Sequence, residues 1–97
     1  MRKRNTESIG EVLKEYFEDN PFFKKKLAES RAVTGWSALL GPMITSYTSN
    51  IYLRNGVLYV SLSSSVLRSE LLMAKDRLMT KINEHAGMHV VNDIIFR

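Results

Sequence analysis

The stretch NIYLRNGVLYVSLSSSVLRSELLMAKDRL, Asn50 to Leu78, changes its period along its length. Asn50-Ile-Tyr-Leu-Arg54 and Val57-Leu-Tyr-Val-Ser-Leu62 alternate apolar and polar positions, and Asn55-Gly56 separates them. Two alternating runs joined by Asn-Gly predict a two-residue type I′ hairpin, because both turn residues need positive φ. The turn sets the register: Arg54 opposes Val57, Leu53 opposes Leu58, Tyr52 opposes Tyr59 and Ile51 opposes Val60. One face then carries Ile51, Leu53, Leu58, Val60 and Leu62, and the other Tyr52, Tyr59, Arg54 and Ser61. A sheet with one apolar and one mixed face takes helices on one side only.

After Ser63-Ser-Ser65 the period becomes helical. Leu67, Leu71, Ala74, Leu78 and Ile82 form one seam, and the helix is expected to run to about His85, with Gly87 closing it. Three serines on a strand-to-helix joint raise the question of a nucleophile. The Gly-x-Ser-x-Gly elbow is absent. Ser65-Val-Leu-Arg68 has Ser-x-x-Lys spacing, but an arginine stays protonated and cannot act as the base. Ser64 or Ser65 as a helix N-cap is the simpler reading.

Upstream, Ser8-Ile-Gly-Glu11 has capping-box spacing, and Ile9, Val12, Leu13, Tyr16 and Phe17 recur as one helical stripe. Asn20-Pro21 ends that helix and begins another. From Pro21 to Leu40 the apolar residues fall on two faces, Phe23 and Leu27 against Val33, Trp36, Leu39 and Leu40. Either core wraps the helix on two sides or it breaks near Ser30–Thr34; a kink or break is expected. Trp36 reads as a core anchor. Gly41-Pro42 is a stop, and Met43–Ser49 is a connector without a pattern. A last strand spans roughly His89 to Phe96.

The expected fold is therefore α+β, in the order α-α-β-β-α-β, with helices on one face of a three-stranded sheet. The last strand is expected beside the first, giving an all-antiparallel sheet of order 2-1-3. Residues 1–7 read as a basic arm and 8–97 as a single domain.

The 97 residues suffice for one small core. A hydrophobic fraction of 44% and a charged fraction of 25% are those of an ordinary globular domain. No apolar run approaches the roughly 20 residues that span a bilayer, so no membrane partner is expected. The absence of cysteine excludes disulfides and thiolate metal sites and fits a cytoplasmic location. His85 and His89 have a metal-ligand spacing, but Gly87 between them ends the helix, so no metal is expected. No glycine-rich phosphate loop and no paired carboxylates occur. No catalytic residue, cofactor or small-molecule substrate is expected.

The net charge of +4 points to an acidic partner, nucleic acid first. Its candidate contacts are Arg2, Lys3 and Arg4 on the arm, Lys24, Lys25 and Lys26, and Tyr52, Arg54 and Tyr59 on the open sheet face. Consecutive lysines on a helix fan over about 200° and make a diffuse field, not a pocket. The tyrosine pair offers a stacking surface, although such pairs also stabilise hairpins for their own sake. Arg68, Leu72, Lys75 and Met79 lie off the apolar seam of the third helix and are candidates for a protein-binding surface, against a bland reading as snorkelling stems and a wide core face.

Trp36-x-x-x-x-Gly41, Asn55-Gly56-x-Leu58-x-Val60, Ser64-Ser65-x-x-x-x-Glu70-Leu71 and Ile94-Ile-Phe-Arg97 together resemble the bacterial DciA-type family of replicative helicase loaders, from about Ser8 onward. The resemblance implies a small KH-like domain and a non-enzymatic adaptor that binds the replicative DNA helicase and assists its loading on single-stranded DNA. Longer members carry a disordered tail after this domain, whose function is expected here to be absent or supplied from elsewhere. The Gly-x-x-Gly loop of true KH domains is missing, so any nucleic-acid contact must use other groups. An RNA-binding KH-like regulatory module is the alternative reading.

Overall fold

The computed structural model describes residues 8–97. Helix α1 (Ile9–Glu18) starts with the expected capping box: Ser8 Oγ accepts from the Glu11 amide at 3.1 Å, and Glu11 Oε1 accepts from the Ser8 amide at 3.0 Å. Helix α2 (Pro21–Ser46) has Pro21 in its first turn and is capped by Asn20, whose Oδ1 accepts from the Phe23 amide. Strands β1 (Thr48–Arg54) and β2 (Val57–Leu62), helices α3 (Ser65–Met73) and α4 (Lys75–Ala86) and strand β3 (Asp93–Phe96) follow. The α+β class, the three strands and the helix layer on one face agree with the sequence reading.

The hairpin has the expected turn and register. Asn55 and Gly56 take φ of 52° and 80°, and the Ile51–Val60, Tyr52–Tyr59, Leu53–Leu58 and Arg54–Val57 pairs all form. Leu58, Val60 and Leu62 are buried, and Ile51 and Leu53 pack against them.

Four expectations fail. The sheet has the order β1-β2-β3, with β3 parallel to β2, not the antiparallel order 2-1-3. The buried alternation of β2 takes a neighbour on each side, whereas β1 presents Ser49, Asn50 and a register irregularity near its start, features suited to an edge. Helix α2 does not break at Ser30–Thr34. Its buried stripe is Ala28, Ala32, Gly35 and Trp36, so core covers one face, and Phe23 and Leu27 simply lie outside it. The interruption comes at Gly41, with φ 82° and ψ 176°, and Pro42 opens a further helical turn where the connector was expected. The third helix is two: Ala74 leaves helical geometry at φ −101° and ψ 11°. Alanine favours helix, so this break comes from tertiary packing, with α3 set against β2 and α4 against α2.

Trp36 is 2% exposed, and its indole N–H donates to Thr48 Oγ1 at 3.0 Å. Gly35 lets α4 approach closely, for a Cβ there would lie 2.7 Å from the His85 ring. The loop from α4 to β3 is held by Asn83. Its Oδ1 accepts from the Val90 and Val91 amides, and its Nδ2 donates to the Val91 carbonyl, all at 2.9 Å.

The molecule measures 61 × 24 × 18 Å, with a radius of gyration of 17.1 Å, against about 13 Å for a compact chain of about 100 residues. The cause is at the start of the chain. Among the described residues the first buried side chain is Ala28, so α1 and the first turns of α2 project from the core.

Replacing Asn83 by alanine strands two amides and a carbonyl beside the buried Val90 and Val91, and is expected to cost about 2 kcal/mol in urea unfolding. Asn83→Asp keeps the acceptor and costs less. Equal losses for the two variants would contradict this account of the loop.

Candidate interaction surfaces

The basic residues do not form one field. Lys25, Lys26 and Arg54 line a groove of about 620 Å³ between the start of α2, the hairpin tip and the α4–β3 loop. Phe22, Glu29, Asn55, His89 and Asn92 complete its polar and aromatic lining. Lys26 is partly spoken for: its Nζ lies 3.5 Å from Glu29 and 5.5 Å from the centre of the Phe22 ring. Lys25 and Arg54 make no ion pair among the described residues. His89 Nε2 is 2.8 Å from Asn92 Oδ1, so His89 and Asn92 orient each other on the groove wall. Lys24 falls on a different surface, in a shallow depression with Glu18, Leu27, Arg31 and Met88. The separation follows from the helical fan of three consecutive lysines. Arg2, Lys3 and Arg4 lie outside the described residues.

Tyr52 and Tyr59 stack on one another with centroids 4.9 Å apart and planes 17° from parallel. The Arg97 guanidinium lies 4.7 Å from the centre of the Tyr59 ring, and its Nη1 is 3.4 Å from the Tyr52 hydroxyl. The cation that meets the tyrosines is thus Arg97, while Arg54 serves the groove at the hairpin tip. This pair stabilises the sheet face through its own stacking and a cation–π contact. Phe22, His89, Asn92 and Arg97 were missed from the sequence, because they converge only through the α2–hairpin contact and the placement of β3 beside β2.

On the far side, Arg68, Leu72 and Lys75 line a depression between α3 and β3 with Ser65, Ser69, Asp93 and Ile95. Two of these side chains tie the depression together. Arg68 Nη1 donates to the Leu62 carbonyl at 2.6 Å and lies 3.4 Å from that of Arg97, and Lys75 Nζ lies 2.9 Å from Asp93 Oδ1. Leu72 is 56% exposed, with Val66 and Met73 more exposed still on the same helix. Met79 is not part of this surface; it is half-buried against the core.

The serine joint is structural. Ser64 Oγ accepts from the Leu67 amide at 3.1 Å as the N-cap of α3, and the Ser63 hydroxyl donates to the Tyr47 carbonyl. Among the described residues no three His, Asp or Glu side chains cluster as a metal site would need, and His85 packs on Gly35, away from His89 and its asparagine. No described helix is long and apolar enough to cross a membrane.

The Asp93 carboxyl is held below its ordinary value of 3.8, first by the hydrogen bond from Lys75 and then by the Ile94 amide. A carboxyl with a depressed folded value stabilises the fold above its unfolded value, and loses that contribution as pH falls through the folded one. Lys75→Met is therefore expected to lower Tm near neutral pH, with the gap from the parent protein closing as pH falls through 3.8 and below. A gap that persists undiminished in acid would show that Lys75 acts through packing of its stem and not through Asp93.

Searches of curated proteins and of solved structures returned no match. The sequence does match one family, described as Dna[CI] antecedent, DciA, over residues 8–96. That span begins at the cap of α1 and ends on β3, taking in every element that carries these surfaces. The chain belongs to the DciA family of helicase loaders.

Proposed function

We propose that this protein is a non-catalytic adaptor that binds the replicative DNA helicase and assists its loading on single-stranded DNA, with a weak, salt-sensitive affinity of its own for nucleic acid. The observation that carries the reading is the family match across residues 8–96. The exposed face of α3 is the proposed helicase contact. There Leu72 presents apolar surface beside Arg68 and Lys75, whose contacts with β-strand groups hold the two charges in place, and Val66 and Met73 add exposed apolar surface further round the helix. Apolar surface beside fixed charge suits a specific protein contact, since little freedom of the charged side chains is lost on binding.

The groove between α2 and the hairpin tip is the proposed path of the nucleic acid. Lys25 and Arg54, which make no ion pair among the described residues, supply positive charge, and Phe22, 70% exposed, supplies a ring on which a base can stack. No Gly-x-x-Gly loop is present to clamp a backbone, so these side chains carry the contact and the affinity is correspondingly modest. The charge contribution acts through counterion release and falls with salt.

The test has two arms. In a pull-down, the cognate replicative helicase should be retained by the parent protein and lost with Leu72→Asp, whose exposed position leaves the fold intact. Failure of the parent protein to retain helicase would overturn the adaptor reading. In single-strand binding at several salt concentrations, Lys25→Ala with Arg54→Ala should weaken affinity and reduce the slope of log K against log salt by about 1.4, at roughly 0.7 per phosphate contact. An unchanged slope would remove the groove from the path. A marked preference for RNA over DNA of equal length, lost with Tyr52→Ala, would instead favour the RNA-binding reading.

A further inference from the structure

Strand β1 is an edge of the sheet, and its pairing with β2 fixes which of its backbone groups are left over. Arg54 and Val57 flank the two-residue turn and exchange both their hydrogen bonds. The ladder then alternates, so Tyr52 bonds to Tyr59, while Leu53 and Ile51 turn their N–H and C=O away from β2. No loop or helix backbone among the described residues meets these four groups. The side-chain bonds of β1 nearby, from Thr48 to the Ile44 carbonyl and from Ser49 to that of Ser61, leave them untouched. Outward main-chain donors and acceptors at strand spacing are completed by one kind of ligand, an extended polypeptide backbone.

Helix α2 runs alongside this edge and leaves two depressions in line. Leu53 and Arg54 line the groove already described, with Lys25 and Lys26. Ile51 lines a second depression of about 340 Å³, where Val33 and Trp36 supply apolar wall among the shorter polar side chains of Ser37, Thr45 and Ser49. End to end they follow about 22 Å of α2, at 1.5 Å per residue, and about 20 Å of β1, at about 3.3 Å per residue. The chemistry changes along that path. At the hairpin tip it is basic, since Glu29 is met by Lys26 at 3.5 Å and Lys25 and Arg54 make no ion pair among the described residues. At the start of β1 it is apolar. The free stretch is short, for Ser49 is an extra residue in the ladder and Arg54 ends the strand, two features that guard an edge against open-ended pairing.

We propose that the β1 edge binds a short extended segment of a partner protein as a fourth, antiparallel strand, and that the segment reads acidic, any residue, apolar. Antiparallel addition is the slightly more stable pairing per residue and runs the segment from the hairpin tip toward the start of β1. Directly opposed residues share a face of the sheet. The residue opposite Leu53 therefore lies on the helix side, where a carboxylate meets Lys25 at the basic end. The residue opposite Tyr52 lies on the open face, where an aromatic ring extends the Tyr52–Tyr59 stack. The residue opposite Ile51 is again on the helix side and lays an apolar side chain against Val33 and Trp36. A second copy of β1 fits less well, because Thr48–Arg54 holds no acidic residue to bring to Lys25 and Arg54. The site is on the opposite edge of the sheet from the α3 depression, so it is separate from the proposed helicase contact. Its basic end is shared with the proposed nucleic-acid path, and on that reading peptide and single strand compete for Lys25 and Arg54.

The test uses the full chain and a synthetic labelled heptapeptide with Glu-Tyr-Ile at its centre, read by fluorescence anisotropy and by amide exchange at single-residue resolution. The peptide should bind and slow exchange at the Ile51 and Leu53 amides, with little change at Tyr52 and Arg54, which already bond to β2. Methylating the peptide's isoleucine nitrogen, which donates to β1, should weaken binding by about tenfold or more, and methylating its tyrosine nitrogen, which points away, by much less. Lys25→Glu should cost about tenfold, recovered when the peptide's glutamate becomes lysine. No binding at millimolar peptide overturns the proposal, as does binding that leaves Ile51 and Leu53 exchange unchanged. Protection of those two amides that grows with protein concentration alone also overturns it, and gives the edge to a second copy. Should the peptide bind as expected yet leave single-strand binding unchanged, the strand site stands and the nucleic-acid path through this groove fails.

Discussion

The buried indole of Trp36 is the constraint on which the rest of the fold depends. It sits on the helix that crosses the sheet, its ring beside Phe96 of β3 and its N–H bonded to Thr48 at the start of β1. Thr48 in turn donates to the Ile44 carbonyl, so the hydroxyl links the end of α2 to the first strand. A large side chain with one polar atom fixes both the depth and the rotation of α2, because the N–H must reach its acceptor while the ring fills the core. The other fully buried positions of α2 are small, Ala28, Ala32 and Gly35, and that is what brings α4 against it. One bulky residue and three small ones thus set the spacing of the whole helix layer.

That arrangement takes core from α2 only from Ala28 onward. The turns before Ala28, with α1 ahead of them, bury no side chain, and this explains both the elongated shape and the exposure of the α1 stripe. The domain therefore has two mechanical parts: a packed unit of α2, α4 and the sheet, and an arm joined to it by a continuous helix. Groups with interaction chemistry lie where these parts meet solvent. The groove opens beside the start of α2, and the α3 depression lies next to β3.

Much of this was legible in the sequence wherever the physics is local. The Asn55-Gly56 turn fixes strand register within a few residues, the Ser8 and Ser64 caps are single side chains meeting single amides, and Trp36 is the one residue large enough to anchor the core. What could not be read was decided at long range. The placement of β3 beside β2 depends on which edge of the hairpin remains open, and the kink at Ala74 on how α3 and α4 divide between sheet and helix. The helical stripe of α1 gave its secondary structure correctly but not its burial, since periodicity reports which residues share a face and not what covers it. The groove was hidden for the same reason: Phe22, Lys25, Arg54 and His89 are remote in sequence and meet only in the fold.

The central claim is this division between a packed unit and an arm whose apolar face the core leaves exposed. Native-state hydrogen exchange of the dilute chain tests it most directly, because opening free energies separate segments that unfold locally from those that open only with the whole. The account predicts that amides of β2, β3 and α2 from Ala28 to Trp36 exchange only through global unfolding, while those of α1 exchange far faster through local opening. Protection of α1 equal to that of β2 would contradict it, for the helix would then be held by the core.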